Sequence, residues 1–253
     1  DLRRVGELLS LCAEQNQWAN EGPLFKQMAD EFASHVNLAP DRAFLPCANG
    51  AVALEAMARL HDMRAGKKLR WVASTFSFSN LGRGYFSDVG FLDCDDQGLM
   101  DYTSLAITPL ESFDGIVLTN PHGLHRDFSA FAAFAQQHKK ALIIDNAAGM
   151  RTHLPDWPWQ SFSLHQTKPY GVGEGGLALV PVDAVEELRI LITYSAAPAP
   201  SNAWLGNGKI SDISCAFILD RLGRVNEWKP AYHRQETRLR SIAGRLGFSP
   251  LSN

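Results

Sequence analysis

The sequence predicts an α/β fold with a mostly parallel sheet. Two observations predict it. Short apolar runs alternate with segments whose apolar residues recur at helical spacing. A 253-residue chain with 45% hydrophobic and 20% charged residues can also bury the large core that such a sheet needs.

The elements follow in order. Residues 23–36 place Leu24, Phe25, Met28, Phe32 and Val36 at helical spacing, and Pro23 suits a first helical position. Residues 50–63 predict a stronger helix through Val52, Leu54, Met57, Leu60 and Met63, with Asn49 as its N-cap. Buried strands are expected at WVAS (71–74), FLDC (91–94), GIVLT (115–119) and ALIID (141–145). Residues 128–137 read as a crossover helix between the last two. SFSL (161–164) and LALVPV (177–182) have no helix between them, so a hairpin or an antiparallel addition to the sheet is expected. A helix is expected over 184–193, then a loop rich in Pro, Gly, Asn and Ser over 194–208. Residues 211–245 read as helical, interrupted at Pro230.

Composition excludes several classes. A net charge of −3 gives no basic surface for nucleic acid. No apolar run reaches the ~18 residues of a membrane span. Residues 1–15 carry Arg3 and Arg4 without a long apolar stretch, so no signal peptide is expected, and a start at Asp1 suggests trimming or processing. Cys12, Cys47, Cys94 and Cys215 are far apart, as for buried thiols in a reducing compartment, so a cytoplasmic location is expected. The His residues are scattered too, and no metal site is expected.

Four segments carry chemistry. Lys168 sits in a Gly-rich turn between two apolar runs, with polar uncharged flanks. It is either a solvated loop lysine or an amine desolvated enough to attack carbonyls. In the same turn Gly171, Gly173 and Gly176 fit G-x-G-x-x-G, but a strand-like run follows where a dinucleotide site needs a helix, so that reading is rejected. Asp145 ends an apolar strand, where it either caps the next helix or pairs with a protonated ring nitrogen. Asn49-Gly50-Ala51 opens a helix, as a plain N-cap or as a phosphate site of free N–H groups. Phe76 and Phe78 follow a strand at alternate spacing, as core or as a stacking surface.

The order of these segments is more informative than any one of them. Phosphate turn, aromatic, strand-end Asp and then a Lys 23 positions on is the order of fold-type I pyridoxal phosphate enzymes. More closely, the sequence resembles the DegT/DnrJ/EryC1/StrS family of sugar aminotransferases. The resemblance runs from Asn20-Glu-Gly-Pro-Leu24 through Asn49-Gly50, Thr75–Phe78, Phe91–Asp95, Ile107–Pro109, Asp145-Asn-Ala147, Ser163–Lys168 and Glu174–Gly176 to Asn207–Asp212. It implies a three-layer α/β/α large domain over 1–193. Residues 194–253 would then be a loop and helical remnant of the family's C-terminal small domain.

Roles follow from the resemblance, position by position. Lys168 would bind pyridoxal 5'-phosphate covalently and then shuttle protons. Asp145 would keep the pyridine nitrogen protonated. Ser163, with the backbone amides of Gly50 and Ala51, would hold the phosphate, and Phe78 would stack on the ring. Asn207 would reach the phosphate in a neighbouring subunit, which implies a homodimer with shared sites. His165 matches a His found in part of the family. The implied reaction moves an amino group from an amino acid, glutamate foremost, to a keto-sugar nucleotide. Lys168 favours transamination, because the family's sugar dehydratases carry His there.

The sequence departs from the family at several points. Ala51 stands where members usually carry Thr, and Ala148 where they carry Gln. The segment Asn120-Pro-His122-Gly123 replaces an H-x-Y-G-like stretch, so Asn120 and His122 are either substrate contacts or parts of a capped loop. Against the resemblance, the small domain is expected to be reduced here to one long helical segment. These departures motivate an alternative, a catalytically silent cofactor-binding homologue with an interaction or regulatory role.

Overall fold

The computed structural model describes residues 1–194 and 202–249; residues 195–201 of the expected 194–208 loop, and the last four residues, lie outside the described residues. In chain order the elements are α1 (Leu2–Gln15), α2 (Pro23–His35), β1 (Arg42–Cys47), α3 (Gly50–Ala65), β2 (Trp71–Ser74), β3 (Gly90–Leu92), α4 (Tyr102–Ile107), β4 (Gly115–Thr119), α5 (Ser129–Gln137), β5 (Ala141–Asp145), β6 (Gln160–Ser163), β7 (Gly176–Pro181), α6 (Val185–Ile192), α7 (Asp212–Gly223) and α8 (Val225–Arg245). The strands form one seven-stranded sheet in the order β1-β7-β6-β5-β4-β2-β3. β3, β2, β4, β5 and β6 run parallel, whereas β7 is antiparallel to both of its neighbours.

Strand periodicity builds the layers. Ile116 and Leu118 of β4, with Leu142 and Ile144 of β5, join Phe131 and Phe134 of α5 in one apolar cluster. The intervening Val117 and Ile143 join Ala53, Leu54 and Met57 of α3 in another. Alternate side chains on a strand point to opposite faces, so the central sheet is covered on both sides. Asp145 follows Ile143 by two residues and Thr119 follows Val117 by two. Both therefore face α3, at the carboxyl ends of their strands.

Two expectations need correction. FLDC does not form a buried strand: β3 covers only Gly90–Leu92, and Phe91 is 47% exposed. It is an edge strand that pairs with β2 alone, so one side has no neighbour to cover it. Pro230 does not interrupt the C-terminal helical stretch; the break lies at Arg224, between α7 and α8. Proline removes one intrahelical bond, and α8 has no buried residue, so water can satisfy the freed carbonyl. Residues 42–47, to which the sequence reading assigned no element, form β1. Pro46 argues against a central strand, but β1 lies at the sheet edge, where a missing N–H is tolerated. Residues 161–164 and 177–182 do form an antiparallel pair, β6 with β7.

Candidate functional site

Five stretches meet at the carboxyl ends of the central strands and enclose a cavity of about 640 Å³. They are the start of α3, residues 76–80, residues 119–121 after β4, residues 145–148 after β5, and the β6–β7 connection. Parallel sheets present ligand sites at this end. Gly50, Ala51, Phe78, Asn120, Asp145, Ser163, His165 and Lys168 all line this one cavity.

One end presents the N-terminus of α3. The Asn49 side chain accepts from Val52 N at 2.9 Å, which caps α3. The first N–H groups of a helix have no intrahelical partner, so those of Gly50 and Ala51 are free to meet a ligand. A side chain at Gly50 would crowd the turn: its Cβ would lie 3.1 Å from the Phe162 carbonyl oxygen and from Ser163 Cβ. Gly176 packs against the Asn49 backbone so closely that any side chain would overlap it. Ser163 ends β6 beside this turn, and its hydroxyl accepts from His165 N at 3.2 Å.

The floor is Asp145, only 6% exposed. Burial raises its carboxyl above the usual range, opposed by the Ser161 hydroxyl, the Ala147 N–H and the Lys168 charge. Lys168 lies across the cavity in a tight turn: its N–H donates to His165 O at 2.8 Å and its carbonyl accepts from Gly171 N at 3.0 Å. Its side chain is half-buried. The His165 ring is held on both sides. Nδ1 accepts from Thr167 N at 3.3 Å, and Nε2 lies 3.5 Å from Glu174 Oε1.

Phe76 and Phe78 both line the wall, 51% and 67% exposed. The two expected polar contacts separate. Asn120 lines the cavity, but its amide is already engaged: Nδ2 donates to Leu124 O at 2.9 Å and to Asn146 Oδ1 at 3.0 Å, and Oδ1 accepts from Leu124 N at 3.1 Å. It holds the 120–124 loop. His122 does not line the cavity; it packs 5.6 Å from the Phe76 ring, behind that wall. Asn207 is exposed and also lies outside the cavity lining. Its neighbour Gly208 accepts from Ala48 N at 2.8 Å, which places the segment beside the start of α3.

Sequence reasoning missed Thr119, Asn80, Ser161 and Glu174. Thr119 Oγ1 and Asn80 Oδ1 are buried in this lining with no partner among the described residues. Thr119 was within reach of strand parity, since it ends GIVLT as Asp145 ends ALIID. Ser161 depends on sheet register, which no local pattern encodes. The rejected G-x-G-x-x-G indeed opens no helix, because Gly176 begins β7.

Among the described residues no cluster could hold a metal ion and no helix is long and apolar enough to cross a membrane. The fold is shared with solved aminotransferase structures. DesI, crystallised in the presence of its TDP-sugar product, superposes with a TM-score of 0.76 at 21% identity, over 90% of this chain and 59% of that one. A DegT DnrJ EryC1 StrS aminotransferase from Brucella abortus gives a TM-score of 0.78 at 19% identity, over 96% and 69%. In sequence, protein Rv3402c of Mycobacterium tuberculosis is 30% identical over 83% of this chain and 55% of its own length. The chain thus spans about half the length of the curated relatives it matches. The family model for DegT/DnrJ/EryC1/StrS aminotransferases matches residues 6–244, nearly the whole sequence, and the chain belongs to that family.

Proposed function

We propose that this chain binds pyridoxal 5'-phosphate in the cavity and serves an aminotransferase that moves an amino group from an amino acid, glutamate foremost, to a keto-sugar nucleotide. The observation that carries the reading is the meeting of Lys168 and Asp145 in one cavity with the N-terminus of α3. The residues fit the cofactor. Free N–H groups and Ser163 suit a phosphate, a buried carboxylate suits a protonated ring nitrogen, and the partnerless Thr119 and Asn80 oxygens await a polar ligand. When bound, the cofactor supplies an electron sink for carbanion chemistry.

The chain's own residues supply the rest. Gly50, Ala51 and Ser163 hold the phosphate, and Asp145 keeps a proton at the ring nitrogen. Lys168 would carry the covalent link to the cofactor, and its Nζ would hold and move a proton. Phe78 stacks on the ring, with Phe76 beside it on the same wall. That DesI, a structural neighbour, was crystallised in the presence of its TDP-sugar product supports the acceptor class. In a homodimer Asn207 would serve the partner subunit's cavity, a role for which its exposed side chain outside this chain's own cavity lining leaves it available.

The test is a half-reaction. Glutamate added to the cofactor-loaded chain should bleach the visible absorption band, and a keto-sugar nucleotide should restore it. A band that no amino donor alters would overturn the transaminase reading and favour the silent homologue.

A further inference from the structure

Two hydroxyls flank the Asp145 carboxyl. Thr119, Asp145 and Ser161 are successive register partners across β4, β5 and β6. Paired residues on neighbouring strands point to the same face, so the three side chains stand in a row. The hydroxyls differ in circumstance. Ser161 is fully buried, lies outside the cavity lining, and donates to Asp145 Oδ1 at 3.2 Å. Thr119 is 4% exposed and lines the cavity, and its Oγ1 has no partner among the described residues. A buried hydroxyl without a hydrogen bond costs free energy, and this one stands on a ligand wall.

Resting on the cofactor reading above, we infer that Ser161 is a positioning residue that fixes the Asp145 carboxylate, and that Thr119 is a binding residue whose hydroxyl hydrogen-bonds the ligand seated against Asp145. A hydrogen bond donated to a carboxylate favours its ionised form. Asp145 must be ionised to pair with a protonated ring nitrogen. Ser161 therefore both aims the carboxylate and keeps it charged against the cost of burial. The charged group facing Asp145 is Lys168 from the β6–β7 connection, with His165 and Glu174 further along the same lining. The cap residue Asn49 and the start of α3 present only uncharged groups there, Asn49, Gly50, Ala51 and Leu54.

The experiment measures binding of pyridoxamine phosphate, which forms no covalent bond to Lys168, as a function of pH. Ser161→Ala should weaken binding at neutral pH ~10-fold and move its acid limb up by ~0.5–1 pH unit. Ser161→Thr should restore both. Thr119→Val should leave the ligand-free chain at least as stable in urea, because it removes an unpaired buried hydroxyl. It should still weaken binding by ~5-fold, with the acid limb unmoved. A wild-type pH profile and affinity in Ser161→Ala would overturn the positioning role. A Thr119→Val chain that binds normally, or that is destabilised when empty, would overturn the binding role. Failure of the wild type to bind at any pH would overturn the cofactor reading itself, and this inference with it.

Discussion

His61 lies on α3 with its ring 4.5 Å from that of Trp159 and 6.1 Å from that of Trp71. Part of the residue reaches the surface, yet Nε2 is buried without a partner among the described residues. Burial, with the nearby Arg64 charge, pushes its pKa down to about 4. The unfolded chain has an ordinary imidazole near 6.5. Between these values the unfolded state binds more protons than the folded state, so stability falls as pH falls from about 6.5 towards 4. Urea unfolding across this range should show the wild type losing on the order of 2–3 kcal/mol more than His61→Phe. Parallel pH profiles would contradict a neutral buried imidazole. Asp145 meets the opposite condition. It is buried as deeply, but a hydroxyl, an N–H and a lysine face it, and those partners make it usable in a site. That contrast was invisible in the sequence, where each simply precedes another polar residue, Asp62 and Asn146.

At the scale of elements, the two ends of the family resemblance prove to be one structural joint. Asp212 opens α7 and is fully buried. Its carboxylate accepts from Gly22 N at 3.2 Å, Leu24 N at 2.9 Å and Phe25 N at 3.1 Å, and so caps α2 from 188 residues away in sequence. Gly22 must lack a side chain, because a Cβ there would lie 2.7 Å from the Asp212 carboxylate oxygens. Acidic caps at a helix N-terminus satisfy free N–H groups and oppose the helix dipole. Asp212→Ala would strand several buried donors, and denaturant unfolding should show a loss of ~3 kcal/mol or more. A loss below ~0.5 kcal/mol would mean that water replaces the cap. The motif residues Gly22 and Asp212 were legible in the sequence, but only as a pattern. Their mutual contact is a tertiary fact, and it assigns both to the scaffold. Elements with strong local periodicity, such as α3, β4 and β5, were legible with their boundaries nearly correct. β1 was not, because Pro46 gives an edge strand and a loop the same local signature.

For the whole molecule, the sheet explains why distant residues share a site. Residues at positions 50, 78, 145, 163 and 168 meet because β4, β5 and β6 end at one side of a parallel sheet and α3 starts there. The cavity membership of most motif residues could thus be expected from the order of segments. Register, which brings Ser161 and Thr119 to Asp145, and loop packing, which turns His122 behind Phe76, could not. Both depend on which strands become neighbours. The account's central claim is that this cavity binds the cofactor at Lys168. The most direct test is borohydride reduction of the chain after incubation with pyridoxal phosphate, followed by peptide mass mapping. The reduced cofactor mass should sit on the peptide containing Lys168 and be absent from Lys168→Ala. A cofactor mass on some other lysine, or none on the wild type, would contradict it.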